Sequence, residues 1–165
     1  MKVVQASVRA SVLAFILVFS SFVFANPNYP DGPNPSMTPG SLCQRATEHR
    51  YAEQIPYCER DVSSDLKQAL IARYDHDFGF HIQTMDRGEF KIDHFIPLSI
   101  GGSNTADNLW PQHRSVYGVT DPLEQLLSDK MSAGRLKQAE AIRIVREAKL
   151  NLGRVPELIH YLRGM

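Results

Sequence analysis

The hydrophobic pattern of this chain changes character several times, and each change marks an element. Val12 to Phe24 is an apolar run broken only by serines. Asn26 to Gly40 has no periodicity at all. Leu66, Leu70 and Tyr74 recur at a spacing of four, which predicts a helix capped by Ser63 or Ser64 and running to about Tyr74. Asp75 to Gly88 reads as loop. Glu89 to His94 then alternates, with Phe90 and Ile92 on one face, as a strand does. Pro97, Gly101 and Gly102 break that strand, and Leu109-Trp110 starts a short second one. Asp121 caps a further helix with Pro122 in its first turn, and Leu123, Leu126, Leu127 and Met131 form its apolar face until Gly134. Another helix covers about Arg135 to Leu150, with Leu136, Ala139, Ile142 and Val145 as its inner edge. Lys137, Glu140, Arg143, Arg146 and Glu147 supply its solvated face. Pro156 opens a last short helix through Leu162. The pattern as a whole is α+β with a mainly helical C-terminal part.

The first 25 residues read as an export signal: Lys2 and Arg9 give a basic start, and Val23-Phe24-Ala25 a small-residue cleavage pattern. The apolar core is 13 residues long, shorter than the ~20 that span a bilayer. Periplasmic or secreted localisation is therefore expected. Residues 26–40 hold five of the ten prolines and are expected to be a flexible leader. Residues 41–165 form the globular domain.

Lysine plus arginine equals aspartate plus glutamate at 18 each, and loss of Lys2 and Arg9 tips the balance slightly acidic. Bulk charge cannot then grip a polyanion, so contact with nucleic acid must come from a local cluster. Arg87, Lys91 and Arg114 flank the central strands and are candidates for phosphate contact. The two cysteines, Cys43 and Cys58, are expected to form one disulfide in an oxidising compartment. A loop of that size contributes about 3 kcal/mol by the chain-entropy account. Zinc ligation would need more cysteines or closely paired histidines.

The densest chemistry lies in Asp93-His94-Phe95-Ile96-Pro97-Leu98, Gly101-Gly102-Ser103-Asn104 and Asn108-Leu109-Trp110-Pro111-Gln112. Phosphodiester hydrolysis needs an activated water, charge relief at phosphorus and stabilisation of the leaving oxygen. An imidazole serves as base near neutral pH, and a divalent cation supplies the charge relief. Adjacent strand residues point to opposite faces, so Asp93 and His94 share a site only if the chain turns there. Asn108 can tie the following loop down with its donor and acceptors.

These three segments resemble the core of the HNH endonucleases, most closely exported bacterial members reading DH-x-IPL…GG-x-N…NLWPQ. Cys43 and the stretch from Tyr57 to Ser63 are similar to the region upstream of it. The resemblance implies a ββα-metal fold, with His94 as general base, Asp93 as metal ligand and Asn108 as the loop-fixing catalytic residue. It implies a divalent ion, Mg²⁺ before Mn²⁺ or Zn²⁺, and DNA as substrate with RNA as the alternative. The family also places an asparagine or histidine ligand on or near the helix after the second strand. Here neither occurs from Val116 to Glu124, which leaves His113 as nearest candidate, with Asp121 and Glu124 behind it. A catalytically impaired ββα-scaffold binding protein of the cell envelope is the rival expectation.

Overall fold

The computed structural model describes residues 28–165. The apolar leader lies outside the described residues, and among those described no helix is long and apolar enough to cross a membrane. The chain mixes helix and strand. In order come β1 (Glu48–Arg50), β2 (Ile55–Tyr57), α1 (Ser64–Phe78), β3 (Phe90–His94), β4 (Leu109–His113), α2 (Arg114–Ser132), α3 (Gln138–Leu150) and α4 (Val155–Gly164). The strands form two separate antiparallel hairpins, β1 with β2 and β3 with β4.

The central hairpin positions everything else. Its register pairs Phe90 with His113, Ile92 with Pro111, Asp93 with Trp110 and His94 with Leu109. Phe90, Ile92, Leu109 and Trp110 bury themselves with Leu70, Ile71 and Tyr74 of α1 in one core cluster. A second cluster joins α2, α3 and α4 through Leu123, Leu127, Ile144, Val145, Ala148, Leu158 and Leu162, with Ile96 and Ile100 of the hairpin loop inserted. The hairpin thus stands between two cores. Each is built from residues whose burial returns on the order of 1.5–3 kcal/mol per side chain.

Several elements differ from expectation for identifiable reasons. Ser63 does cap α1, accepting from Leu66 N–H. Helix α2, however, starts at Arg114 rather than Asp121, with Pro122 inside it. The His113 ring takes the capping role by accepting from Ser115 N–H. Pro122 and Gly118 are both exposed, so water can meet the carbonyl that proline leaves without its helical donor. In α3 the buried face is Ala141, Ile144, Val145, Ala148 and Lys149, while Ala139 is exposed.

The proline-rich stretch is not a separate leader. From Tyr29 to Gly40 it packs as a strap across the domain: Met37 and Thr38 are buried. Thr38 Oγ1 lies 2.9 Å from Tyr74 Oη and 3.1 Å from the Leu109 carbonyl. Proline fixes an extended backbone without requiring ladder partners, which suits a strap as well as a spacer.

The loop between β3 and β4 makes its tightest approach at Gly102. A Cβ there would fall 1.8 Å from the Ile96 carbonyl oxygen. Gly102→Ala is therefore expected to cost on the order of 3 kcal/mol or more in urea unfolding. Gly118, in the exposed helix face with nothing within 4 Å of its Cβ position, should instead gain about 0.5–1 kcal/mol as alanine.

Candidate functional site

Strand alternation sends Asp93 and His94 to different partners. The Asp93 carboxylate lies on the face with Lys91, which turns toward α2. There its oxygens, with those of Asp121 and Glu124, come within 4.8 Å of one another, a group that could hold a metal ion. Three carboxylates are hard oxygen donors of the kind magnesium and calcium take. They are already flanked by cations. Lys91 Nζ binds both Asp121 oxygens at 2.7 and 2.9 Å and stands 3.5 Å from Asp93 Oδ2. Lys149 Nζ, fully buried, lies 2.6 Å from Glu124 Oε1 and 3.4 Å from Asp93 Oδ2, and donates to the His94 carbonyl at 2.5 Å.

The charges settle accordingly. Burial works to raise the Asp93 pKa, but the Lys149 and Lys91 ammonium groups outweigh it and hold the carboxyl below its usual range. Burial would lower Lys149, yet Asp93 and Glu124 keep it above its usual value. Glu124 is raised by burial. Among the described residues, the buried Trp110 Nε1 and Gln112 Oε1 have no hydrogen-bond partner. Trp110 and Gln112 are on the hairpin face that carries Asp93, opposite Asp93 and Lys91 in the register. The junction of hairpin and α2 therefore has polar capacity that the protein itself does not use.

His94 belongs to another neighbourhood. Asn104 Nδ2 donates to the Glu59 carbonyl at 2.6 Å, which turns its Oδ1 toward His94 Nε2 at 3.0 Å. Nε2 must then carry the proton, and the lone pair rests on Nδ1. Nδ1 faces Arg60 Nη1 at 3.4 Å, while Arg60 Nη2 is anchored on the Ile92 carbonyl at 2.8 Å. Arg60 and Asn104 both line a cleft of about 1140 Å³, with Arg45, Cys58, Glu59 and Thr105 among its other walls. Burial, aided by Arg60 and opposed by Asn104, lowers the His94 pKa to about 4.

Two further residues hold this arrangement. Asn108 is fully buried; its Oδ1 accepts from Ile96 N–H at 2.8 Å, and its Nδ2 donates to Ile96 and Ser103 carbonyls at 2.9 Å each. It closes the loop that carries Asn104. The Cys43–Cys58 disulfide fixes the segment that presents Glu59 and Arg60.

His113 does not join Asp93, contrary to its expected place as the second ligand. It sits at the far end of the hairpin, stacked on Tyr29 with ring centroids 4.0 Å apart and committed to the cap of α2. Asp121 and Glu124, the two acids beyond it, lie beside Asp93 instead. The flanking cations are also engaged: Arg87 donates to the Phe90 carbonyl and Arg114 lies 3.7 Å from Glu89. Lys149 and Arg60 are the groups that motif reading passed over. Lys149 had one signal, since it falls four and eight residues beyond Val145 and Ala141 on the buried face. Comparison with models of known protein families, with curated proteins and with solved structures yields no match.

Because His94 is neutral when folded and titrates near its ordinary 6.5 when unfolded, the unfolded chain binds the extra proton between those values. Its contribution is complete above about pH 6.5 and is lost as pH falls toward 4. The size is on the order of 3 kcal/mol. His94→Gln should flatten the fall in unfolding free energy between about pH 6.5 and 4 by that order, measured by urea titration. An unchanged slope would remove His94 as the cause.

Proposed function

We propose that this protein is a metal-dependent endonuclease of the HNH type, acting on DNA or RNA with low sequence specificity and exported from the cell. Hairpin β3–β4 and α2 are read as its ββα core. The observation that carries this reading is the pairing, at the end of one strand, of an acid facing a carboxylate group on the following helix with a neutral histidine beside an arginine-bearing cleft. Asp93, Asp121 and Glu124 would hold the ion, whose oxygen donor set suits Mg²⁺ or Mn²⁺. When bound, such an ion would supply positive charge on the acidic side of the hairpin.

The chain's own groups do the rest. Nδ1 of His94 keeps its lone pair and is the atom that can take a proton from water. Arg60, at that same atom, is placed to receive a phosphate oxygen. An anion arriving there raises the imidazole pKa, because it favours the protonated ring that forms during proton abstraction. Asn104 holds the tautomer, and Asn108 holds Asn104's loop.

A specific observation favours the rival reading, a non-catalytic scaffold of the cell envelope: both His94 nitrogens have protein neighbours, and an ammonium already lies among the carboxylates. Supercoiled-plasmid cleavage by the disulfide-intact protein separates the two. Nicking that requires Mg²⁺ or Mn²⁺, stops with EDTA and falls by a factor of about 100 or more in His94→Ala is expected. The low pH limb of kcat/KM on an oligonucleotide should lie nearer 4 than 6.5. Absence of cleavage of DNA and RNA by a folded protein would leave the scaffold reading.

A further inference from the structure

We propose that the ammonium of Lys149 is a built-in counter-cation standing where Asp93 and Glu124 would hold a divalent ion, so that metal enters this group only in competition with it. The inference rests on the cation site of the preceding reading but not on any nuclease activity.

The geometry is that of a coordinated cation. Nζ has three oxygens from two elements around it: Glu124 Oε1 of α2 at 2.6 Å, and from β3 the His94 carbonyl at 2.5 Å and Asp93 Oδ2 at 3.4 Å. The first two distances fall within the shell of about 2.3–2.6 Å that oxygens form around calcium. A divalent ion bound to the same Glu124 and Asp93 oxygens would sit in contact with the ammonium, with two positive charges against one. The lysine is enclosed from end to end. Its side chain is fully buried, and the strap crosses its backbone so closely that a Cβ on Gly32 would fall 2.6 Å from the Lys149 carbonyl oxygen.

The charge count points the same way. Asp93, Asp121 and Glu124 face Lys149 and Lys91, so only one net negative charge remains before any ion arrives. A metal must therefore displace Lys149 from its oxygens or bind outside them, through Asp121 and water. Acid clusters on a surface are common without a ligand, but this one is buried at one end and already closes around a cation. That cation belongs to the chain.

Mn²⁺ binding, read by its electron spin resonance signal and by the thermal unfolding midpoint, tests this on the full, oxidised protein. Lys149→Met and Lys149→Gln remove the charge, the second keeping an amide to donate to the His94 carbonyl. Both are expected to bind Mn²⁺ at least about tenfold more tightly than the natural sequence. Their unfolding midpoints should rise further with Mn²⁺ than that of the natural sequence. Lys149→Met combined with Asp93→Asn should lose the gain.

Equal Mn²⁺ affinity with and without the lysine would overturn the proposal, as would variants that bind none. So would variants that stay unfolded when Mn²⁺ is present, since the ion should take over the ammonium's place. Plasmid cleavage run beside these measurements keeps the two readings apart. Tight Mn²⁺ binding by the variants, with no cleavage by the natural sequence, retains the counter-cation and removes the nuclease. Cleavage by the natural sequence with no effect of Lys149 on Mn²⁺ does the reverse.

Discussion

An ammonium group removed from water loses several kcal/mol of solvation, and oxygens held in place must restore it. Lys149 meets that requirement with oxygens drawn from β3 and α2 while its own backbone belongs to α3. The requirement therefore fixes how the C-terminal helices lie on the hairpin. Apolar packing alone would permit small slides of α3 over its neighbours, because Ala141, Val145 and Ala148 are short and similar in shape. A buried charge does not permit them. A displacement that broke its contacts would leave an unpaired ion in the interior, at a cost of about 3–5 kcal/mol. In this chain the polar interaction sets position, and the two apolar clusters supply the bulk of the stabilisation.

The opposite face of the hairpin is organised by shorter links. Cys43–Cys58 holds the segment carrying Glu59 and Arg60. The Glu59 carbonyl orients the Asn104 amide, and Asn104 selects the protonated nitrogen of His94. Asn108 completes the loop from the other side. No single one of these bonds is strong, with a net worth of about 1 kcal/mol each. Together they leave the imidazole one tautomer and one neighbour of opposite character, the Arg60 guanidinium. The disulfide thus acts on the histidine through two intervening contacts.

Much of this was legible in the chain. The alternation of Phe90 and Ile92 marked the strand. The Gly-Gly and Asn positions marked the loop, and the two cysteines their bond. What resisted reading shares a physical cause. The start of α2 was hidden because His113, which looks like a ligand, acts as a helix cap, and because a proline on an exposed face does not end a helix. The strap was hidden because its four prolines signal extended backbone without saying whether it packs. Lys149 was hidden because a lysine in a helix of alternating charges reads as solvated. Only its phase relative to Val145 and Ala141 distinguishes it, and that phase depends on which face α3 buries.

The two faces of the hairpin meet in one atom. Strand geometry forces the side chains of Asp93 and His94 apart, so neither can answer directly to the other. The His94 carbonyl, however, projects to the acidic side and accepts from Lys149, while its ring lies between Asn104 and Arg60. Whatever cation stands among Asp93 and Glu124 must therefore also satisfy, or abandon, the backbone of the histidine. An ammonium satisfies it with one short hydrogen bond. A divalent ion that displaced the ammonium would have to ligate that carbonyl or leave it bare. Either change acts on the peptide unit from which the imidazole is suspended, which ties the occupancy of the acidic side to the aim of the imidazole.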